Sequence, residues 1–231
     1  MPNLVNREMW ISERMKLLER EKSFTKERDA LSNARRDLPM VEITKSYHFS
    51  TNSGTRCLPE LFEGKKQLVV YHFMFGPDWE EGCPSCSFFV DSFNGNEAHL
   101  AARNTAFILA SNAPLETLNA YAARMGWTIP WVSCLNTGFG EDFGVTFPEG
   151  AEKNGRTYNY DKKPYGGESP GLSVFFDLGA NRVAHSYSTY GRGLDILNSA
   201  YHLLDLTPNG RDEASFPYPQ AWVKRHDEYK N

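Results

Sequence analysis

The chain has 231 residues, of which 40% are hydrophobic and 13% aromatic, enough for one large domain with extensions, or a small pair, around a buried core. A formal net charge of -4 gives no general attraction for nucleic acid or anionic membrane. The opening "MPNLVNREMW" has no apolar signal core and no later run approaches a membrane span, so the expected compartment is the cytosol, where thiols stay reduced unless they are catalytic.

Residues 7–38 read as one long helix, rich in Arg, Lys and Glu and free of Pro and Gly. Trp10, Leu17, Phe24, Leu31 and Leu38 recur every seventh residue, and Ile11, Met15 and Leu18 widen the stripe. One apolar position per heptad is thin for a coiled coil, because Arg14, Glu21, Arg28 and Arg35 hold the intervening places. The expectation is an N-terminal helical arm, 1–38, lying along the main domain or along a second subunit, with a homodimer preferred. Pro39 ends it. "VEITKSYHF" reads as a strand or hairpin, and "QLVVYHFMF" (67–75) as a strand buried on both faces. Cys83 to Phe93 reads as a helix stopped by Asn94-Gly95, and "TAFILA" (105–110) as another buried strand. Ser111 is expected to cap the next helix, which has Pro114 in its first turn and ends at Gly126. "TIPWVSC" is a short strand, and "GLSVFFD" and "RVAHSYST" form a hairpin around Leu178-Gly179-Ala180-Asn181. A last helix is expected over 193–205, followed by a C-terminal tail, 207–231. The order predicts an α/β domain, 39–206, with a mixed sheet flanked by helices.

The segment "HFMFGPDWEEGCPSCSFFVDSFNG" (72–95) places two cysteines where the first buried strand hands over to a helix, the end at which open α/β sheets concentrate ligand chemistry. With Cys83 as N-cap and Pro84 as the first helical residue, the Cys83 sulfur lies beside unsatisfied helix N–H groups that favour a thiolate. Cys86, one turn on, can close a disulfide. Two other readings stand beside this redox one: two inert helix cysteines, or part of a metal site. Asp78, Glu80 and Glu81 oppose a Cys83 thiolate while the helix terminus favours it, so a pKa of about 6 to 8 is expected. Glu80 and Glu81 are candidates to shuttle the proton of Cys86, or simply part of a solvated loop. Trp79 could shield the disulfide or dock a substrate, or only pack. His72 and His185 read first as hydrogen-bonded structural histidines. Cys57 and Cys134 read as isolated small side chains.

"QLVVYHFMFGPDWEEGCPSCSFFVDSFNG", "RMGWTIPWVS", "YNY", "GLSVFFD", "HSYSTYGRGLD" and "LDLTPNGRDE" resemble a family of bacterial and fungal thioredoxin-like proteins of unknown function, and the likeness runs to "WVKRHDEY". The resemblance implies a thioredoxin-like fold and no substrate. Tyr187 and Tyr190 carry part of the likeness. The thioredoxin fold further implies a cis-proline opposite the active cysteine, for which Pro170 in "ESPGLSVFF" is the candidate; it would leave the preceding backbone free for an extended substrate. "WVSCLNTGFGEDFGV" is similar to peroxiredoxins, which carry a Thr where this chain has Cys83. Copper chaperones of this fold pair two cysteines with one histidine, so a metal would fall to Cys83 and Cys86 with His72 or His185. The expected activity is thiol–disulfide exchange, with Cys83 attacking, Cys86 resolving and no cofactor beyond the redox-active disulfide. The expected partner is a protein or small-thiol redox couple, and neither nucleic acid nor membrane. A non-catalytic binding protein, a copper carrier or a peroxiredoxin-like peroxidase are the alternatives.

Overall fold

A computed structural model describes residues 3–160 and 166–230. The chain divides into two units, residues 1–39 and 40–231.

The first unit is helix α1, Arg7–Arg36. Asn6 caps it by accepting the Met9 N–H at 2.9 Å. It stops just before the expected Leu38, because Pro39 disfavours the α conformation in the residue before it. Pairs such as Lys16–Glu13 and Lys22–Glu19 lace its polar surface. No residue of α1 is buried, and Trp10, Leu17, Phe24 and Leu31 are 46–67% exposed.

The second unit opens with β1 (Val41–Glu42), then the hairpin β2 (His48–Thr51) and β3 (Gly54–Cys57) and a 3-10 turn over Leu58–Phe62. "VEITKSYHF" thus covers β1 and the start of β2. The alternating core follows: β4 (Gln67–His72), α2 (Pro84–Phe93), a short α3 (Glu97–Ala102), β5 (Thr105–Ser111), α4 (Leu115–Met125) and β6 (Trp131–Ser133). After α5 (Phe139–Asp142) and the small pair β7 (Thr146–Phe147) and β8 (Gly167–Glu168) comes the long hairpin β9 (Gly171–Gly179) and β10 (Arg182–Tyr190). Ala180 and Asn181 both have positive φ, as a tight two-residue hairpin turn requires. The main sheet runs β1-β10-β9-β4-β5-β6-β2-β3. β4, β5 and β6 are parallel, and β9 lies antiparallel to β4.

Strand parity sorts the core onto two faces. Leu68, Val70, Ile108 and Ala110 pack with Phe62, Phe139 and Phe175 on one face, while Tyr71, Phe107 and Leu109 pack with Cys86, Phe89, Val90 and Leu118 on the other. The mixed sheet flanked by helices and the long N-terminal helix are as expected from the sequence.

Two local expectations are corrected. Ser111 does not cap α4: it is the last residue of β5, and its hydroxyl donates to the Phe73 carbonyl at 2.7 Å. Pro114 takes the cap position instead. The single helix expected over 193–205 is two pieces, a 3-10 turn over Gly191–Leu197 and α6 over Ser199–Leu204. Between them the buried Asn198 leaves helical geometry and accepts the Tyr201 N–H at 3.0 Å, starting a new helix. The stretch read as a tail returns to the domain: Trp222 packs edge-on against Phe88 of α2, and Asp227 pairs with Arg124 of α4.

Candidate functional site

The site is built where β4 runs out. Phe73 still bonds its N–H to Ala110 O at 3.0 Å, then the chain leaves the sheet through 74–82 and enters α2 at Cys83. Cys83 is the N-cap and Pro84 the first helical residue, so the missing N–H of proline falls where none is needed. The Cys83 N–H ties back to Met74 O at 3.2 Å, closing the loop. Gly82 sits against the rings of Phe73 and Tyr121, which a Cβ would meet at 2.7–2.9 Å, so only glycine brings the backbone this close.

The two sulfurs are unequal. Cys83 is half-buried, whereas Cys86 is 1% exposed and receives the Met74 N–H at 3.5 Å. The Cys83 thiol is drawn down to about 7, chiefly by the hydrogen bond from Cys86. Burial opposes this, while the backbone N–H groups of Cys86 and Ser85 and the Arg225 charge assist. Cys86 is pushed well above its ordinary value, first by burial and then by its neighbour Cys83. The proton therefore rests on Cys86 and the negative charge on Cys83.

A polar chain holds the rim of the site. Ser87 donates to Cys83 O at 2.9 Å, Tyr121 lies 2.9 Å from the Ser87 hydroxyl, and Arg225 Nε donates to Tyr121 Oη at 2.9 Å. Since the Ser87 proton goes to Cys83 O, the Tyr121 hydroxyl is the donor in the Tyr121–Ser87 bond. Arg225 Nη2 also donates to Gly82 O at 2.8 Å, and Arg225 Nη1 pairs with Glu81 at 3.0 Å and Glu228 at 2.8 Å. Arg124 reaches Glu81 at 2.5 Å and Asp227 at 2.7 Å. Of the carboxylates before the cysteines, Glu81 thus faces two arginines distant in sequence. Ser87, Tyr121, Arg124 and Arg225 were not legible as site residues; the one available signal for Arg225 is its place in the "WVKRHDEY" likeness.

The other candidates fall as follows. Glu81 is committed to the two arginines, and Glu80 is exposed. Trp79 is 41% exposed, its indole folded over Gly76. Pro170 lines a cavity of about 190 Å³ together with Tyr71, Met74, Cys86, Phe89 and Leu194. The expected cis bond at Pro170 is corrected: the described residues contain no cis peptide. The trans form is the ordinary preference of X-Pro bonds. The backbone before it is not free either, since Ser169 N–H bonds Val145 O at 2.7 Å and Pro170 O accepts the Tyr158 hydroxyl at 2.7 Å.

His72 and His185 do not join the sulfurs, which corrects the suggested metal set. Tyr71 faces α2, so its neighbour His72 must face the opposite side of the sheet. There it is 3% exposed, lies against Phe139 and Phe143, and bonds Ser173 Oγ at 2.8 Å. Ser173 continues to Ser188 and Ser188 to the partly buried His185 at 2.7 Å, giving a His–Ser–Ser–His chain. Among the described residues no group of three or more His, Cys, Asp or Glu is arranged to hold a metal ion. Cys134 packs on that same far face with its thiol pushed up to about 12 by burial, and Cys57 ends β3, its N–H bonded to Glu60. Tyr190 donates to Phe143 O.

A mixed sheet whose central parallel strand delivers a C-x-x-C pair to the start of a helix, followed by an antiparallel hairpin, defines a protein of the thioredoxin fold. The family model described as "Bacterial protein of unknown function (DUF899)" matches residues 1–229, and the chain belongs to that family. Among curated proteins none matches. A cysteine-to-serine mutant of Xanthomonas campestris Peroxiredoxin Q is similar in structure at TM-score 0.50 and 14% identity, over 72% of this chain and 98% of that one. A second mutant of it gives 0.50 and 13%, over the same shares. Peroxidoxin BcpB from Mycobacterium tuberculosis gives 0.48 and 12%, over 69% and 96%. The two Peroxiredoxin Q likenesses extend to the fold.

Proposed function

We propose that this protein is a thiol–disulfide oxidoreductase working through Cys83 and Cys86. The observation that carries the reading is the asymmetry of the pair: a half-buried Cys83 at the start of α2, its thiol drawn down, and a fully buried Cys86 one turn behind it. The Cys83 thiolate attacks a disulfide R–S–S–R′, forming a Cys83–S–R bond as R′S⁻ leaves. Cys86 then attacks the Cys83 sulfur, the bond to R breaks, and RSH departs with the proton from Cys86. Two electrons pass from the dithiol to the substrate, and a thiol couple reverses the cycle. The redox partner is a protein or a small thiol, and the cytosol is the proposed compartment; no helix among the described residues is long and apolar enough to cross a membrane.

The test is labelling with iodoacetamide as a function of pH, resolved by cysteine. Cys83 should label with a midpoint near pH 7 while Cys86 stays protected in the folded protein. Faster labelling of Cys86 would sink the assignment.

A peroxidase cycle is the second reading, favoured by the Peroxiredoxin Q likeness over 98% of that chain. Cys83 thiolate would attack a peroxide oxygen, cleaving the O–O bond to give a sulfenic acid and water or an alcohol. Cys86 would condense with it, releasing water and forming the same disulfide. Peroxide consumption with and without a dithiol reductant separates the two readings.

For the arm, the exposed stripe of α1 supports a homodimer through this helix. Light scattering should give a dimer for the full chain and a monomer once residues 1–37 are removed. A monomeric full chain would end the dimer reading.

A further inference from the structure

Tyr71, next to last in β4, looks toward α2 and is 0% exposed, and its hydroxyl makes no well-formed hydrogen bond, its one neighbour being the Cys86 thiol. A phenol is buried without a partner only at a penalty, and phenylalanine would fill the same space without it. The hydroxyl therefore calls for a stronger acceptor than a neutral thiol, one that appears at another stage of the protein's work. The cavity of about 190 Å³ that Tyr71 lines has Ser85, Arg192, Asp195 and Gln220 on its wall beside the apolar residues, and of its two sulfurs, those of Met74 and Cys86, only the Cys86 sulfur can carry a charge. Cys86 already takes the Met74 N–H, so a second donor would complete a site for a charged sulfur.

We propose that the Tyr71 hydroxyl is the hydrogen-bond donor that stabilises Cys86 as a thiolate during disulfide exchange. The inference rests on the dithiol reading and names the group that makes its buried half workable. In the resting dithiol Cys86 is a neutral thiol, a weak acceptor, and Tyr71 stays poorly satisfied. When Cys86 attacks the mixed disulfide on Cys83, its proton passes to the departing RS⁻ and the charge that develops on its sulfur takes the Tyr71 O–H. In the reverse direction an incoming thiolate attacks Cys83, the Cys83–Cys86 bond breaks, and Cys86 leaves with the electron pair into the same two donors, Tyr71 O–H and Met74 N–H. Burial raises the Tyr71 hydroxyl well above its ordinary pKa, with Cys86 and Cys83 adding to it, so the group stays protonated and can donate throughout.

The test uses the full chain and an aromatic disulfide, dithionitrobenzoate, as the probe. Release of the first thionitrobenzoate reports attack by Cys83, release of the second reports closure by Cys86, and mass spectrometry follows the adduct on Cys83. In Tyr71→Phe the first phase should be unchanged. The second should slow at least about tenfold at neutral pH, the low end of what a hydrogen bond to a charged group contributes, and its pH profile should move upward. Thermal unfolding of the variant should be close to the parent's, because only a weak contact with a neutral thiol is lost while a poorly satisfied buried hydroxyl is removed. A second phase at the parental rate overturns the inference and leaves the dithiol reading standing. A marked loss of thermal stability also overturns it, since the hydroxyl would then serve the resting fold. A parent chain that never releases the second thionitrobenzoate overturns both.

Discussion

Cys83→Ser should reduce disulfide exchange to the uncatalysed background, a fall of at least about 10³-fold, while Cys86→Ser should leave the first attack intact and accumulate a mixed disulfide on Cys83. The contrast follows from the geometry. Cys83 alone of the pair is accessible and is held near pH 7 as a thiolate; a serine hydroxyl there stays protonated and is a poor nucleophile. Cys86 is buried, so an incoming substrate cannot reach it, and its part begins only once Cys83 carries the adduct. Insulin-reduction or small-disulfide assays measure the first effect. Mass spectrometry of Cys86→Ser recovered from cell extract measures the second and identifies the partner. Equal residual activity in both variants would remove the division of labour between the two sulfurs.

The folded protein should lose stability steeply as pH falls below about 6.5, and His72 is the residue responsible at the mild end of that range. Burial, with the His185 charge second, pushes the His72 pKa down to about 3. The ordinary value of 6.5 applies in the unfolded chain. Folding therefore requires the neutral ring. Its contribution is fully present above pH 6.5 and is lost progressively as pH drops toward 3, at roughly 1.4 kcal/mol per unit. By pH 4.5 the loss is about 2.7 kcal/mol, a large share of a typical 5–15 kcal/mol. His185, also lowered by burial, acts in the same direction. Carboxylates such as Asp142 and Asp205, held below their ordinary values, add their own loss only at lower pH. Urea titrations between pH 7 and 4.5 would read this slope. His72→Gln keeps a polar group toward Ser173 but cannot titrate, so it should lower stability at pH 7 and flatten the slope above pH 5. An unchanged slope in that variant would place the acid sensitivity elsewhere.

Local patterns in the sequence determined the elements that carry the chemistry. The apolar run 67–72 had to be a strand buried on both faces, Cys-Pro is a helix start because proline lacks the N–H that the first turn leaves unpaired, and Gly179 and Asn181 suit the positive φ of the turn between β9 and β10. With α4 and its Gly126 stop, these suffice for the α/β order and for the position of both sulfurs. Each depends on neighbours within a turn or two, where spacing and backbone preference decide. The tertiary structure alone decided the rest. Arg225 reaches Gly82 and Tyr121 across more than a hundred residues, and Arg124 meets Glu81 only because α4 packs beside the loop. In a loop that reads as wholly acidic along the chain, Glu81 is thereby paired with two arginines in space. The final helix breaks because Asn198 is buried where its side chain can start a new one, and Ser111 turns from cap to strand because Phe73 O lies within its reach. Such partners have no local period, since they are set by which faces of distant elements the packing brings together.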